Sequence, residues 1–130
     1  MADNRKQKKQ LKILIADDNE GVRKFLSLML AEEGFTLQEA ATGKEALEKI
    51  KQDMPDIILL DCKMPVMDGF ETYARLKQNP ETRSIPVIFC TSMPARDIKE
   101  RIYEADDYIE KPFSMEELMR KISTVLKDAI

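Results

Sequence analysis

Histidine is absent from the 130-residue chain. That excludes Ser-His-Asp and Cys-His nucleophiles, His-ligated zinc and any phosphohistidine carried by the chain itself, and leaves carboxylates, lysine, hydroxyls or a bound ion for chemistry. Cysteine is scarce, with Cys62 and Cys90 alone. They are too few for a second pair of zinc ligands, and they read as reduced thiols, Cys90 a small core hydrophobe and Cys62 a loop thiol. No apolar run approaches the roughly 20 residues that span a bilayer, and the polar stretch from Met1 to Gln10 lacks the apolar centre of a signal peptide. No membrane insertion and a cytoplasmic location are the expectations. A strong charge of either sign is also missing: 21 basic against 24 acidic residues give a net charge of -3, which offers no pull toward nucleic acid.

What is present is the composition of one ordinary globular domain, 43% hydrophobic and 35% charged. A chain of this length buries enough surface to fold without disulfides or a structural metal. Residues 1–10 concentrate Arg5, Lys6, Lys8 and Lys9 with no periodic apolar position, which predicts a flexible basic arm preceding a domain over 11–130. From Leu11 onward short apolar runs alternate with amphipathic stretches. The runs predict strands at Lys12 to Ala16, Thr36 to Ala40, Ile57 to Leu60, Val87 to Cys90 and Tyr108 to Ile109.

Val22, Phe25, Leu26, Met29 and Leu30 recur at helical spacing and predict one buried helix face, with Gly34 as its stop. Thr42 with Glu45, and Ser114 with Glu117, fit the capping box that opens a helix. The apolar stripes behind them are Ala46, Leu47 and Ile50, and Leu118, Ile122, Val125 and Leu126. Asp68 opens a third helix ahead of Phe70 and Ala74, and Pro94 suits the first turn of a fourth carrying Ala95, Ile98, Ile102 and Ala105. Strands each followed by a helix predict an open, doubly wound parallel α/β sheet, since parallel strands need long crossovers and a closed barrel needs about 250 residues.

Chemically useful residues stand directly after four of the five runs: Asp17 and Asp18, then Asp61, then Thr91, then Lys111. In an open parallel sheet the carboxyl ends of the strands frame the ligand crevice. Three carboxylates meeting there repel one another unless a cation joins them, and such oxygen ligands suit Mg²⁺. Lys111 adds a positive charge for a phosphoryl group, Asp61 is a candidate nucleophile for an aspartyl phosphate, and Thr91 offers a hydroxyl to a phosphoryl oxygen. Met64, Met67 and Met93 read as packing residues.

The segment Pro55-Asp-Ile-Ile-Leu-Leu-Asp61-Cys-Lys-Met64-Pro65-Val-Met67-Asp68-Gly69, with Asp17-Asp18 before it and Pro86-Val-Ile-Phe-Cys-Thr91 and Lys111-Pro112-Phe113 after it, resembles the receiver domain of two-component response regulators. The resemblance extends over about Lys12 to Lys127. It implies a flavodoxin-like, three-layer fold with strand order 2-1-3-4-5 and five helices. It further implies that Asp61 accepts a phosphoryl group from the phosphohistidine of a sensor histidine kinase or phosphotransfer protein, which accounts for the missing histidine.

By the same resemblance, Asp17, Asp18, Asp61 and the backbone carbonyl of Lys63 hold Mg²⁺. Thr91 and Lys111 contact the phosphoryl oxygens, Lys111-Pro112 is a cis peptide, and Thr91 and Tyr108 form the switch. Lys63 and Met93 occupy positions that tune how long the phosphoryl group survives. The implied output is altered binding of a downstream effector through the face of the fourth helix, fifth strand and fifth helix, by a monomer or a phosphorylation-dependent dimer. On this reading the chain is a stand-alone receiver and not an enzyme beyond its own phosphotransfer and dephosphorylation. The other readings are a receiver-like adaptor that binds without phosphorylation and an acidic-cluster Mg²⁺ phosphatase or nuclease. One departure stands out: where many receivers read Glu-Ala-Gly-Ala-Asp-Asp-Tyr, this chain reads Glu104-Ala105-Asp106-Asp107-Tyr108, so the fourth helix lacks its usual glycine stop.

Overall fold

Strands that read as unbroken apolar runs need cover on both faces, and the computed structural model supplies it. It describes residues 11–94, 96–98 and 107–127. The basic arm at 1–10, Ala95, Ile102, Ala105 and the Glu104–Asp106 stretch lie outside those residues.

The strands are β1 (Lys12–Ala16), β2 (Thr36–Ala40), β3 (Ile57–Leu60), β4 (Val87–Thr91) and β5 (Asp107–Glu110). They form one parallel sheet in the order β2-β1-β3-β4-β5. The helices are α1 (Glu20–Glu32), α2 (Gly43–Gln52), α3 (Gly69–Gln78), α4, described over 96–98, and α5 (Met115–Leu126). The predicted doubly wound sheet is the observed one, with β4 and β5 extending beyond the runs read from sequence.

Alternation along each strand sends successive side chains to opposite layers. Ile13, Ile15, Ile57, Leu59, Ile88, Cys90 and Ile109 pack with Leu26 and Leu30 of α1 and Leu118, Ile122 and Leu126 of α5. Leu14, Ala16, Ile58, Leu60, Val87 and Phe89 pack on the other side with Ala46 and Ile50 of α2, Tyr73 and Leu76 of α3, and Ile98 of α4. Crossovers of one hand that carry the chain in opposite directions along the sheet land on opposite faces. Direction reverses between β1 and β3, so their carboxyl ends diverge into a crevice.

Local signals in the sequence fix the ends of these helices. Thr42 Oγ1 accepts from the Glu45 N–H at 3.0 Å, Asp68 from Glu71 at 2.9 Å and Ser114 from Glu117 at 3.0 Å. Glu45 returns its carboxylate to the Ala41 N–H, one residue earlier than the capping box predicts. Gly34 adopts φ 103°; its N–H bonds the Ala31 carbonyl and that of Phe35 bonds Leu30, closing α1 in a Schellman turn.

One expectation needs correction, and the structure sharpens two others. Phe25, assigned to the buried face of α1, is 55% exposed and lines a groove with Val22, Pro112 and Phe113. Its place on the helix lies at the margin of the stripe, beyond the reach of the sheet. Ala74 is exposed, and Thr72, Tyr73 and Leu76 form the buried side of α3. Cys62 follows β3 in a loop as expected, but it is buried in the core layer beneath α3.

A hydroxyl closes the far end of α3. Thr82 is buried, and its Oγ1 donates to the Leu76 carbonyl at 2.7 Å. Thr82→Val keeps the shape and removes the donor, leaving that carbonyl unpaired. Urea unfolding is expected to show a loss of about 1–2 kcal/mol; an unchanged midpoint would mean that water replaces the hydroxyl.

Candidate functional site

Asp17 and Asp18 follow β1, Asp61 follows β3, Thr91 ends β4 and Lys111 follows β5, so strand order alone brings four strand ends side by side. Carboxylate oxygens of Asp17, Asp18 and Asp61 all lie within 4.8 Å of one another. Asp17 and Asp61 are buried and Asp18 is exposed at the rim. Lys111 Nζ sits 2.6 Å from Asp17 Oδ2 and 3.6 Å from Asp61 Oδ2. Lys111-Pro112 is cis, and the Lys111 N–H donates to the Thr91 carbonyl at 2.8 Å, tying the two loops together.

Burial pushes the Asp61 carboxyl above its ordinary value; Lys111 opposes that rise and Asp17 adds to it. Burial alone would lower Lys111, but its hydrogen bond to Asp17 and the charges of Asp61 and Asp17 outweigh that and hold it above the usual lysine value. Cys90, beneath the site, is pushed far up by burial, which leaves it a neutral thiol.

Thr91 is buried, and its Oγ1 accepts from the Met93 N–H at 3.1 Å. Lys63 is exposed, with its N–H 3.5 Å from Asp61 Oδ1. Met93, Met64, Cys62 and Phe70 line a shallow hollow with Asp18 and Lys63 beside the carboxylates. Tyr108 stands apart, half-buried on β5 against the layer that holds Phe89, with Lys121 Nζ 5.8 Å above its ring and 3.2 Å from Asp107. Of the residues singled out in the sequence, the structure brings together the three aspartates and Lys111.

The loop from Cys62 to Asp68 holds the wall of the site. The Gly69 N–H donates to the Cys62 carbonyl at 2.9 Å, and a Cβ on Gly69 would stand 2.0 Å from the Asp61 carbonyl oxygen. Val66 adopts φ 69°, rare for a β-branched residue, as the Met67 N–H reaches back to the Pro65 carbonyl at 2.7 Å. Sequence pattern misses Arg23 and Glu39, which support the same site from α1 and β2: an arginine within a helix and a glutamate in an edge strand carry no signal by themselves.

The model of the response regulator receiver domain family matches residues 13–123. The chain belongs to that family. The receiver works in two-component signalling, where receivers partner histidine kinases and effectors and depend in general on Mg²⁺. The phosphate regulon transcriptional regulatory protein PhoB of Rhizobium meliloti is 35% identical over 120 residues, 91% of this chain and 53% of that protein. The chain spans about half the length of the curated relatives it matches. Among solved structures, the receiver domain of the Francisella response regulator 1452 superposes with a TM-score of 0.85 at 30% identity, covering 93% of this chain and all of that one. The chemotaxis protein CheY4 of Vibrio cholerae gives a TM-score of 0.85 at 30% identity over 90% of this chain and 99% of its own. No helix among the described residues of this receiver is long and apolar enough to cross a membrane.

Proposed function

We propose that this receiver takes a phosphoryl group onto Asp61 from the phosphohistidine of a sensor kinase or phosphotransfer protein, and that the modified domain changes its affinity for a downstream protein in the cytoplasm. The observation that carries the reading is the convergence of Asp17, Asp18 and Lys111 on the buried carboxylate of Asp61. An Asp61 oxygen attacks phosphorus, an O–P bond forms, the P–N bond of the donor breaks and its imidazole leaves with the bonding pair. The receiver is then the acceptor in one transfer, not an enzyme acting on a succession of substrates.

Three carboxylates against one ammonium leave the site too negative to admit a phosphoryl dianion. The donor set fits a hard cation, and Asp17, Asp18, Asp61 and the Lys63 carbonyl are the groups that would hold Mg²⁺, which supplies the missing positive charge when bound. Lys111, now shared between Asp17 and Asp61, is placed to turn its charge to a phosphoryl oxygen. The Thr91 hydroxyl accepts from Met93 and keeps its own proton to give. A shift of Thr91 toward the new group would open space on the β4–β5 side, where Tyr108 is half-buried. The effector face of α4, β5 and α5 is the surface such a change would remodel.

Intact mass after incubation with acetyl phosphate tests this. A single phosphoryl adduct is expected with Mg²⁺, and none with Asp61→Asn or without metal. A folded, Mg²⁺-binding chain that takes no adduct would instead be an adaptor that acts without phosphorylation.

A further inference from the structure

Asp17 has every polar group engaged. Its N–H donates to the Ala40 carbonyl at 3.0 Å, its Oδ1 accepts from the Asn19 N–H at 2.9 Å and its Oδ2 from Lys111. The remaining group, the Asp17 carbonyl, accepts from Arg23 Nη1 at 2.8 Å. Arg23 lies one turn into α1 with its side chain only 14% exposed, and its Nε reaches Glu39 Oε1 on β2 at 3.3 Å. One planar guanidinium therefore clamps the peptide between Asp17 and Asp18 against the neighbouring strand.

We propose that Arg23 and Glu39 are a positioning pair that sets the Asp17–Asp18 peptide for cation binding, an inference that rests on the Mg²⁺ reading above. The Asp18 carboxylate makes no hydrogen bond or ion pair among the described residues, so the peptide that carries it is what aims it. The bond from Arg23 fixes the plane of that peptide. A positive group this close would by itself weaken the hold on a cation. Glu39 cancels that charge, so the clamp adds a directed donor with little net field. Lys24, 3.6 Å from the same Glu39 oxygen, and Lys49, which donates to the Glu39 carbonyl, keep Glu39 in place. Arginine suits the task because its fork serves the carbonyl and the carboxylate at once; a lysine ammonium serves one well.

Titration calorimetry of the full metal-free chain with MgCl₂ separates positioning from simple electrostatics by the sign of the change. Arg23→Gln removes a positive charge, so electrostatics alone would tighten Mg²⁺ binding. Loss of the clamp should weaken it by about tenfold, the usual effect of removing a group that orients a metal ligand. Arg23→Lys should fall between, and Glu39→Gln should weaken binding by leaving the arginine charge uncancelled. In the metal-free chain, amide exchange at Asn19, whose N–H rests on Asp17 Oδ1, should quicken in Arg23→Gln.

Equal or tighter Mg²⁺ binding by a folded Arg23→Gln chain would overturn the proposal. If Arg23→Gln does not fold, Arg23→Lys takes its place, and wild-type affinity there would overturn it equally. If the wild-type chain binds no Mg²⁺, the reading under Proposed function fails, and unchanged Asn19 exchange would then dispose of the positioning role as well.

Discussion

Gly69→Ala is expected to lower the stability of this receiver by about 3 kcal/mol, at the upper end of what a forced steric contact costs a packed core. The methyl would stand 2.0 Å from the Asp61 carbonyl oxygen and 2.9 Å from both the Asp61 carbonyl carbon and the Cys62 Cα. Every one of those atoms is backbone, so no side chain can rotate away. Relief requires either the start of α3 or the end of β3 to move, and the 2.9 Å bond from the Gly69 N–H to the Cys62 carbonyl stretches with it. The urea midpoint should drop by roughly 1–2 M, taking a slope near 2 kcal/mol/M. Because the displaced peptide belongs to Asp61, phosphoryl uptake should fall in the fraction that stays folded. Gly21→Ala is the control: its new Cβ meets only the Asn19 side chain, at 3.3 Å, and a change within about 1 kcal/mol is expected. Equal stability of Gly69→Ala and wild type would show that the loop between β3 and α3 yields far more readily than its hydrogen bonds suggest.

Gly69 also marks how far sequence reading reached. Its place after Asp68 was legible as part of a motif, but the reason for a glycine was not, because the approach of α3 to the Asp61 peptide is a distance between segments. The strands were legible since both faces are covered, which turns each into an apolar run with little else to mistake it for. Asp17, Asp18, Asp61, Thr91 and Lys111 were legible because strand order places the ends of such runs together. Phe25 lies off the buried face because helical spacing gives a stripe but not its width: α1 buries Leu26 and Leu30 against the sheet, with Val22 packed beside them. The position of Cys62 past a strand says nothing of α3 lying over it. Arg23 was invisible for a related reason, as its partners are a carbonyl six residues earlier and a carboxylate on another strand.

Asp61→Asn should make the metal-free receiver more stable at pH 7, and the gain should disappear in acid. Burial raises the Asp61 pKa in the folded chain above its unfolded value near 3.9. The stability that Asp61 contributes is therefore fully present below that unfolded value and is lost as pH rises through the folded one. At neutral pH folding works against the charged form of this buried carboxyl group beside Asp17, and asparagine removes the titrating group while keeping the shape. Lys111 loses a partner at 3.6 Å but retains Asp17 at 2.6 Å. A gain on the order of 1 kcal/mol, about 4 °C in the thermal midpoint of a domain this size, is expected at pH 7, shrinking to nothing as the pH falls below about 4. Lys111→Met should act in the opposite direction. The Lys111 pKa is also raised, so its contribution is present below the unfolded value near 10.4 and lost only above the folded one. Its removal leaves two carboxylates uncompensated and should cost about 2–3 kcal/mol at pH 7, a deficit that narrows in strong alkali. Thermal melts of the three chains from pH 3 to 11 without metal check both signs. A fall in the midpoint of Asp61→Asn at pH 7 would mean that Lys111 pays back more than burial takes from the aspartate.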